Sequence, residues 1–427
     1  MRAKAVRGNP VRRALGDYSL ILRSKNVRTL VVSSCLLSFM RGPLTWLFPI
    51  LLLRAGGPLF LGVAFAVANV DDTVMSFVGG AMADRWGRRP ILLFSRLMYV
   101  CGACLLLASM FVGGALSRAA LFIAVLFAYG MSGISPGASS ALLVESVEPR
   151  HVGRAFSLLS SSSLLFRSLG SAALGVIYQR SVVAGAFMLI LFALSSTLLL
   201  FCVRETLPSQ SARDGERLVG HFVNTFRSVG QLGLLGLAPL LLLVVGNGLG
   251  HGIGGNYFAP LLEEGHGVSL AVLGGVFSAI PLLQATLVLP AGWLVDRRGP
   301  FLALITGNVV AGGWVMLAGV TKCADLAVAA VVVSGSLGAF HGIGYETAVA
   351  RLSNDRMRAT LFGSLETLWN AMFIVGPLAG GALYGFRSEL TFIAAGAILM
   401  LTFLPTLAMR YHAGQSGQSR RGGESPW

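Results

Sequence analysis

The chain has 427 residues, of which 55% are hydrophobic and 12% charged, with a mean hydropathy of +0.74. Soluble domains carry about 25% charged residues, so this chain lacks a water-compatible surface and its main solvent must be lipid. The net charge of +15 would suit a nucleic-acid or anionic-membrane partner, a choice settled by where the charges sit.

Residues 1–28 are basic, without the short apolar core and small-residue cleavage site of a removed signal peptide. Crossing ~30 Å of hydrocarbon takes about 20 apolar residues in a helix, and six such runs follow, at 29–53, 59–82, 91–112, 119–144, 155–178 and 182–203. The polar stretch 204–231, with Pro208, Ser209, Asp214 and Glu216, reads as a linker. Six more runs follow at 232–258, 270–295, 301–320, 324–350, 359–386 and 390–409, and residues 410–427 form a polar tail. The seventh, tenth and eleventh runs are broken by glycine. The expected fold is all-α, a polytopic membrane protein of twelve transmembrane helices in two six-helix bundles, 29–203 and 232–409.

If the amino terminus is cytoplasmic, 25 of the 33 Lys and Arg fall in inner segments and 5 (Arg54, Arg118, Arg180, Lys322, Arg387) in outer loops. That asymmetry predicts both termini in the cytoplasm and makes the positive excess topology, with no nucleic-acid partner implied. The remaining three, Arg41, Arg96 and Arg167, lie inside runs. Cys35, Cys101, Cys104, Cys202 and Cys323 sit in or beside apolar runs and read as packing residues.

Two loops repeat. Gly80, Asp84, Arg85 and Gly87 after the second run, followed by Arg88 and Arg89, and Gly292, Asp296, Arg297 and Gly299 after the eighth, both fit G-x-x-x-D-R-x-G, 212 residues apart. A generic basic turn explains the arginines but not the Gly and Asp spacing. Glycine permits a tight turn; Asp84 can accept from helix-start amides or pair with an arginine, and the arginines can reach the other half or anionic lipid. A second echo matches Gly170, Ala173, Gly175 and Tyr178 with Gly376, Ala379, Gly381 and Tyr384 at an offset of 206.

These motifs resemble the major facilitator superfamily. Glu148 to Ala155 looks like that family's fourth-to-fifth loop, and Arg204 to Pro208 like its exit from the sixth helix. The resemblance implies two pseudo-symmetric bundles, alternating access, and a conformational latch at Gly80, Asp84, Arg85, Gly87, Arg88, Gly292, Asp296, Arg297 and Gly299. It also implies that helices 1, 4, 7 and 10 line a central cavity, 2, 5, 8 and 11 flank it, and 3, 6, 9 and 12 lie outside.

Ionisable groups at bilayer depth are expensive and mark function. The candidates for substrate or proton binding are Arg41, Asp71, Asp72, Arg167, His251, His341, Glu346 and Glu366, with Asn247, Asn256, Gln284 and Asn370 as polar cavity residues. Two readings stand for the first four: Arg41 and Arg167 neutralise Asp71 and Asp72 within one bundle, or an arginine anchors an anion while a carboxylate carries a proton. Arg96 is placed near the end of its run, apart from this set. The fourth run has no arginine, and the G-P-x-x-G-G element found in the fifth helix of many drug exporters occurs here as Gly376 to Gly381 in the eleventh.

No G-x-x-x-x-G-K-[ST] loop occurs, so an ion gradient is expected to supply the energy. Neither a cofactor nor an enzymatic nucleophile and base emerges. The expected activity is secondary active transport of a small solute, with proton-coupled export first, followed by anion uptake or exchange through Arg41 and Arg167, a metal-ion carrier, and a transporter-like sensor or scaffold. The expected partners are membrane lipid, a small solute and protons, with the chain a monomer in the plasma (cell inner) membrane.

Overall fold

The computed structural model describes residues 21–206, 234–352 and 358–419. Much of the predicted linker and the ends of the chain lie outside these residues.

The first helical stretch, Lys25–Trp86, counts 62 residues and would be about 93 Å long if straight, three times the membrane core. It is two helices. Gly57 sits at φ 79 and ψ −177, a conformation open to glycine, and Pro58 then starts the next helix without needing its missing N–H. The halves are α1 (25–56) and α2 (58–86). There follow α3 (Arg88–Ser109), α4 (Gly114–Glu145), α5 (Val152–Arg180), α6 (Val182–Leu200), α7 (Ala238–Gly265), α8 (Leu270–Arg298), α9 (Pro300–Val320), α10 (Ala324–Ala350), α11 (Arg358–Phe386) and α12 (Ser388–Tyr411). Among the described residues each of the twelve predicted runs forms a helix, the third and sixth ending a few residues early. By length and hydropathy, nine helical stretches among the described residues can cross a membrane. One of them is the α1–α2 pair. The two that fall short on hydropathy, α5 and α11, have 29 residues each, long enough to cross.

Several helices depart from regular geometry. A 3₁₀ turn at Gly130–Gly133 interrupts α4, α7 ends in a 3₁₀ and a π turn, and α9 holds a π turn at Thr306–Val310. Beyond α12 the helix runs on to Ser419, so the start of the predicted tail is helical.

The outward face confirms lipid as solvent. On α6 and its C-cap, Phe187, Leu191, Leu194, Leu198 and Phe201 are all exposed at spacings that form one helix face, an apolar stripe water would not tolerate. Inside, Trp46, Phe48 and Tyr99 are fully buried. The bundles mirror each other in how glycine admits neighbouring backbones. A Cβ on Gly170 of α5 would meet the Phe39 backbone of α1, and one on Gly376 of α11 would meet Gly252 of α7. The sequence offset of 206 therefore corresponds to equivalent helix crossings.

Candidate functional site

Two faces of the molecule are defined by the loops. The signature face carries the α2–α3 and α8–α9 loops; the opposite face carries the α1–α2 and α7–α8 turns.

The bundles meet along α2 with α11 and α5 with α8, toward the opposite face. There the Tyr257 hydroxyl reaches Pro58 O (3.2 Å) and Pro377 O (2.9 Å), Ser171 Oγ donates to Gly274 O (3.2 Å), and the Ala271 amide donates to Gln179 (3.1 Å). Asn69 donates to Phe373 O (2.7 Å) near mid-helix, and Arg54 pairs with Glu263. Trp46 Nε1 donates to Ser171 Oγ at 3.0 Å, which ties α1 to α8 through α5.

Small residues allow this approach, and their spacing shows where it ends. A Cβ on Gly62 would run into Pro377, on Gly274 into Ser171 and Gly175, and on Gly381 into Pro58. Eighteen residues make five full turns, so Gly80, Gly292 and Gly363 occupy the same helix faces as Gly62, Gly274 and Gly381 at the other end of each helix. All three face open space, as does Gly153, eighteen residues before Ser171. The faces that touch at one end are apart at the other.

The signature loop lies inside the amino-terminal bundle. Gly87, at φ 103, turns the chain between α2 and α3, and Gly299, at φ 84, does the same after α8. Arg88 pairs with Asp84 (2.5 Å) and Glu145 of α4 (3.2 Å). The Glu205 carboxylate accepts from the Arg88 and Arg89 amides (2.9 and 3.0 Å), so it, and not Asp84, caps the exposed donors of α3. Arg89 also donates to Phe201 O (3.0 Å). The contacts of Arg88 and Arg89 thus fall on their own bundle and the residues just after α6, where the sequence suggested the other half or anionic lipid. In the second loop Arg297 lies over the Trp293 ring at 4.7 Å, Asp296 is exposed, and Pro300 stands where the first loop has Arg88.

A cavity of about 310 Å³ opens among α1, α3, α4 and α5, and Arg41, Arg96 and Arg167 all line it. The arginine of α3 therefore lines the same cavity as Arg41 and Arg167, although the sequence set it apart from them. Arg96 is 3% exposed, and its Nε and Nη1 have no partner. Arg41 lies 5.5 Å from the Tyr99 ring centre. None of the ion pairs found among the described residues includes these three arginines, so direct neutralisation by Asp71 and Asp72 is not seen. Asp72 instead accepts from Ser132 at 2.5 Å, and Asp71 lies against Gly130, where a Cβ would collide with its carboxyl. Both carboxylates thus address the 3₁₀ break of α4.

In the other bundle, His251 and His341 join an aromatic cluster. Ring centres are 6.5 Å apart between the two histidines and 5.9 Å between His341 and Trp369, and Tyr345 stacks on His341 at 5.8 Å. No three His, Cys, Asp or Glu residues converge on a metal position among the described residues. Glu346 and Glu366 are exposed. Gln284 donates to Gly335 O (2.8 Å), and Asn247 is buried with Oδ1 unpartnered. Asn256 and Asn370 are half-buried.

The sequence profile of the Major Facilitator Superfamily matches residues 30–345 and 240–426. The chain belongs to this superfamily. Its relatives include the multidrug resistance protein MdtG of Klebsiella pneumoniae (strain 342), 23% identical over 386 residues, 85% of this chain and 87% of that one. MdtG of Escherichia coli (strain 55989 / EAEC) is 25% identical over 356 residues, 80% and 82% of the two chains. Among solved structures, the peptide transporter POT superposes with a TM-score of 0.70 at 15% identity, covering 92% of this chain and 95% of that one. The superfamily assignment makes the chain a multi-pass membrane transporter and not an enzyme.

Proposed function

We propose that the protein exports a small organic solute by alternating access, driven by protons, with both termini in the cytoplasm of a plasma (inner) membrane. The observation that carries this reading is the eighteen-residue pairing of glycines, with seams closed at Gly62, Gly274 and Gly381 and open at Gly80, Gly292 and Gly363. A rocking motion that parts the first set and joins the second gives alternating access from rigid bundles. The 25-to-5 distribution of basic residues supports a cytoplasmic signature face, and on this reading the form described is inward-open. The MdtG relatives, named for multidrug resistance, support the outward direction.

In this reading the Asp84–Arg88–Glu145 group and Glu205 hold the α2–α3 turn rigid, and the second loop, with Asp296, Arg297 and Gly299, docks against it when the signature face closes. Arg85 is exposed at the signature loop, free to meet the second loop or anionic lipid. Asp71 and Asp72 carry the proton, because the α4 break beside them can change their solvation as the bundles rock. The test is purified protein in liposomes with an imposed pH gradient. Solute-dependent proton movement is expected, and Asp72→Asn should uncouple solute flux from pH. Absence of proton movement with any solute, or unchanged coupling in both Asp71→Asn and Asp72→Asn, contradicts the reading.

A further inference from the structure

We infer that the cavity among α1, α3, α4 and α5 binds a small organic oxyanion of two or more negative charges, held by Arg41, Arg96 and Arg167; this gives the solute class of the carrier proposed above and rests on that reading. Three guanidinium groups converge on one cavity with no ion-pair partner among the described residues. Arg96 is buried, Arg41 half-buried and Arg167 exposed; a buried guanidinium without a partner is strongly unfavourable, and the two like charges beside it add to the cost. A ligand that supplies the missing negative charge removes both penalties.

Other buried polar atoms close to Arg96 and Arg167 along the chain are unsatisfied too. Besides Arg96 Nε and Nη1, the buried Ser95 Oγ, Tyr99 Oη and Ser168 Oγ have no hydrogen-bond partner, and they lie within four residues of Arg96 or beside Arg167. Ser34, Ser38 and Ser163 line the cavity as well, adding hydroxyl donors. Guanidinium forks match carboxylate and phosphate geometry, and the Tyr99 ring holds Arg41 by its face, leaving the planar N–H edge free. Asp72 lies within electrostatic reach of Arg41, so one carboxylate offsets part of the three charges; a cationic or neutral solute would leave the remainder uncompensated.

Size narrows the class. A cavity of about 150 Å³ accepts benzene; about 310 Å³ therefore has room for one ring with one or two oxyanion groups. An inside-negative membrane potential drives such a solute outward, the direction of the proposed export.

The test uses the full chain in lipid nanodiscs at low salt, with thermal stability measured against phenyl phosphate, phthalate, benzyl alcohol and benzylamine. Both dianions, or one of them, should raise the melting temperature saturably at millimolar concentration, with the tighter one telling phosphate from carboxylate preference. Arg167→Gln should weaken that binding roughly tenfold or more, Arg167→Lys less, and added salt should weaken it in the parent. Equal stabilisation by benzyl alcohol or benzylamine, unchanged dianion binding in both Arg167→Gln and Arg41→Gln, or no stabilisation by either dianion overturns the inference. Flux in liposomes separates the two proposals. Proton-coupled flux of neutral or cationic probes that survives Arg167→Gln leaves the carrier standing and removes the oxyanion site. Saturable dianion binding with no flux leaves the site and removes the carrier.

Discussion

Adding one methyl group to the seam glycines should move the protein in opposite directions at its two ends. In the present form a Cβ on Gly62 would lie 3.0 Å from Tyr257 Oη and closer still to Pro377 O, whereas a Cβ on Gly80 meets nothing within 4 Å. Both positions gain the same helix propensity from Gly→Ala, up to about 1 kcal/mol, so that term cancels between them. What remains is overpacking against a backbone that cannot rotate away, about 1–3 kcal/mol, which falls on the present form in Gly62→Ala and on the other form in Gly80→Ala. Such an energy changes a conformational ratio by roughly 5- to 150-fold. The readout is labelling of a single cysteine at Ala66, which is 4% exposed and lies one turn from Gly62 on the same face, by an impermeant maleimide in a background with the five native cysteines replaced. When opening and closing are fast, the labelling rate follows the open population. Gly62→Ala should accelerate labelling at least about fivefold and Gly80→Ala should slow it. Equal rates in the two variants, or faster labelling in Gly80→Ala, would refute the reasoning.

Other contacts give further expectations. Tyr257→Phe removes the single hydroxyl proton shared by Pro58 O and Pro377 O, weakening the closed seam by about 1–2 kcal/mol; Arg54→Gln removes a pair whose arginine is 52% exposed, worth below about 1 kcal/mol. The Ala66 cysteine should therefore label faster in Tyr257→Phe than in Arg54→Gln. Glu205→Gln keeps the shape of the α3 cap but removes its charge, and should cost about 1–2 kcal/mol, seen as a lower melting temperature with slower transport. Gly170→Ala should destabilise the purified protein by about 1–3 kcal/mol because its Cβ meets the Phe39 backbone, while Gly153→Ala, facing open space, should leave the melting temperature unchanged or raise it.

Helix number was legible because a membrane imposes one length on every pass. Even α5, with Arg167 and its many serines, had to be a crossing once its neighbours were placed. The paired signature loops were legible because glycine is needed at one backbone conformation, as Gly87 and Gly299 show. What stayed hidden depends on helix rotation and on distance along the chain. Arg96 could be assigned to α3 but not to the face of α3 that turns inward, although Leu92, Arg96 and Tyr99, all buried, share that face at helical spacing and could have signalled it. Glu145 and Glu205 are 57 and 117 residues from Arg88, with no local pattern linking them. The seam bonds of Tyr257 and Asn69 end on backbone carbonyls, which leave no mark in a sequence. The glycines at intervals of eighteen were present in the sequence all along, but their meaning depends on which ends touch.

The most direct test of alternating access is a pair of distance distributions in nanodiscs between spin labels on pseudo-equivalent helices. One pair, Cys202 and a cysteine at Arg410, reports the signature face; the other, cysteines at Arg118 and Lys322, reports the opposite face. The present structure should give a wide first pair and a narrow second pair, and conditions that favour the other form, such as Gly62→Ala, should narrow the first while widening the second in the same molecules. Two distances that stay fixed, or that widen together, would contradict a carrier built on two rocking bundles.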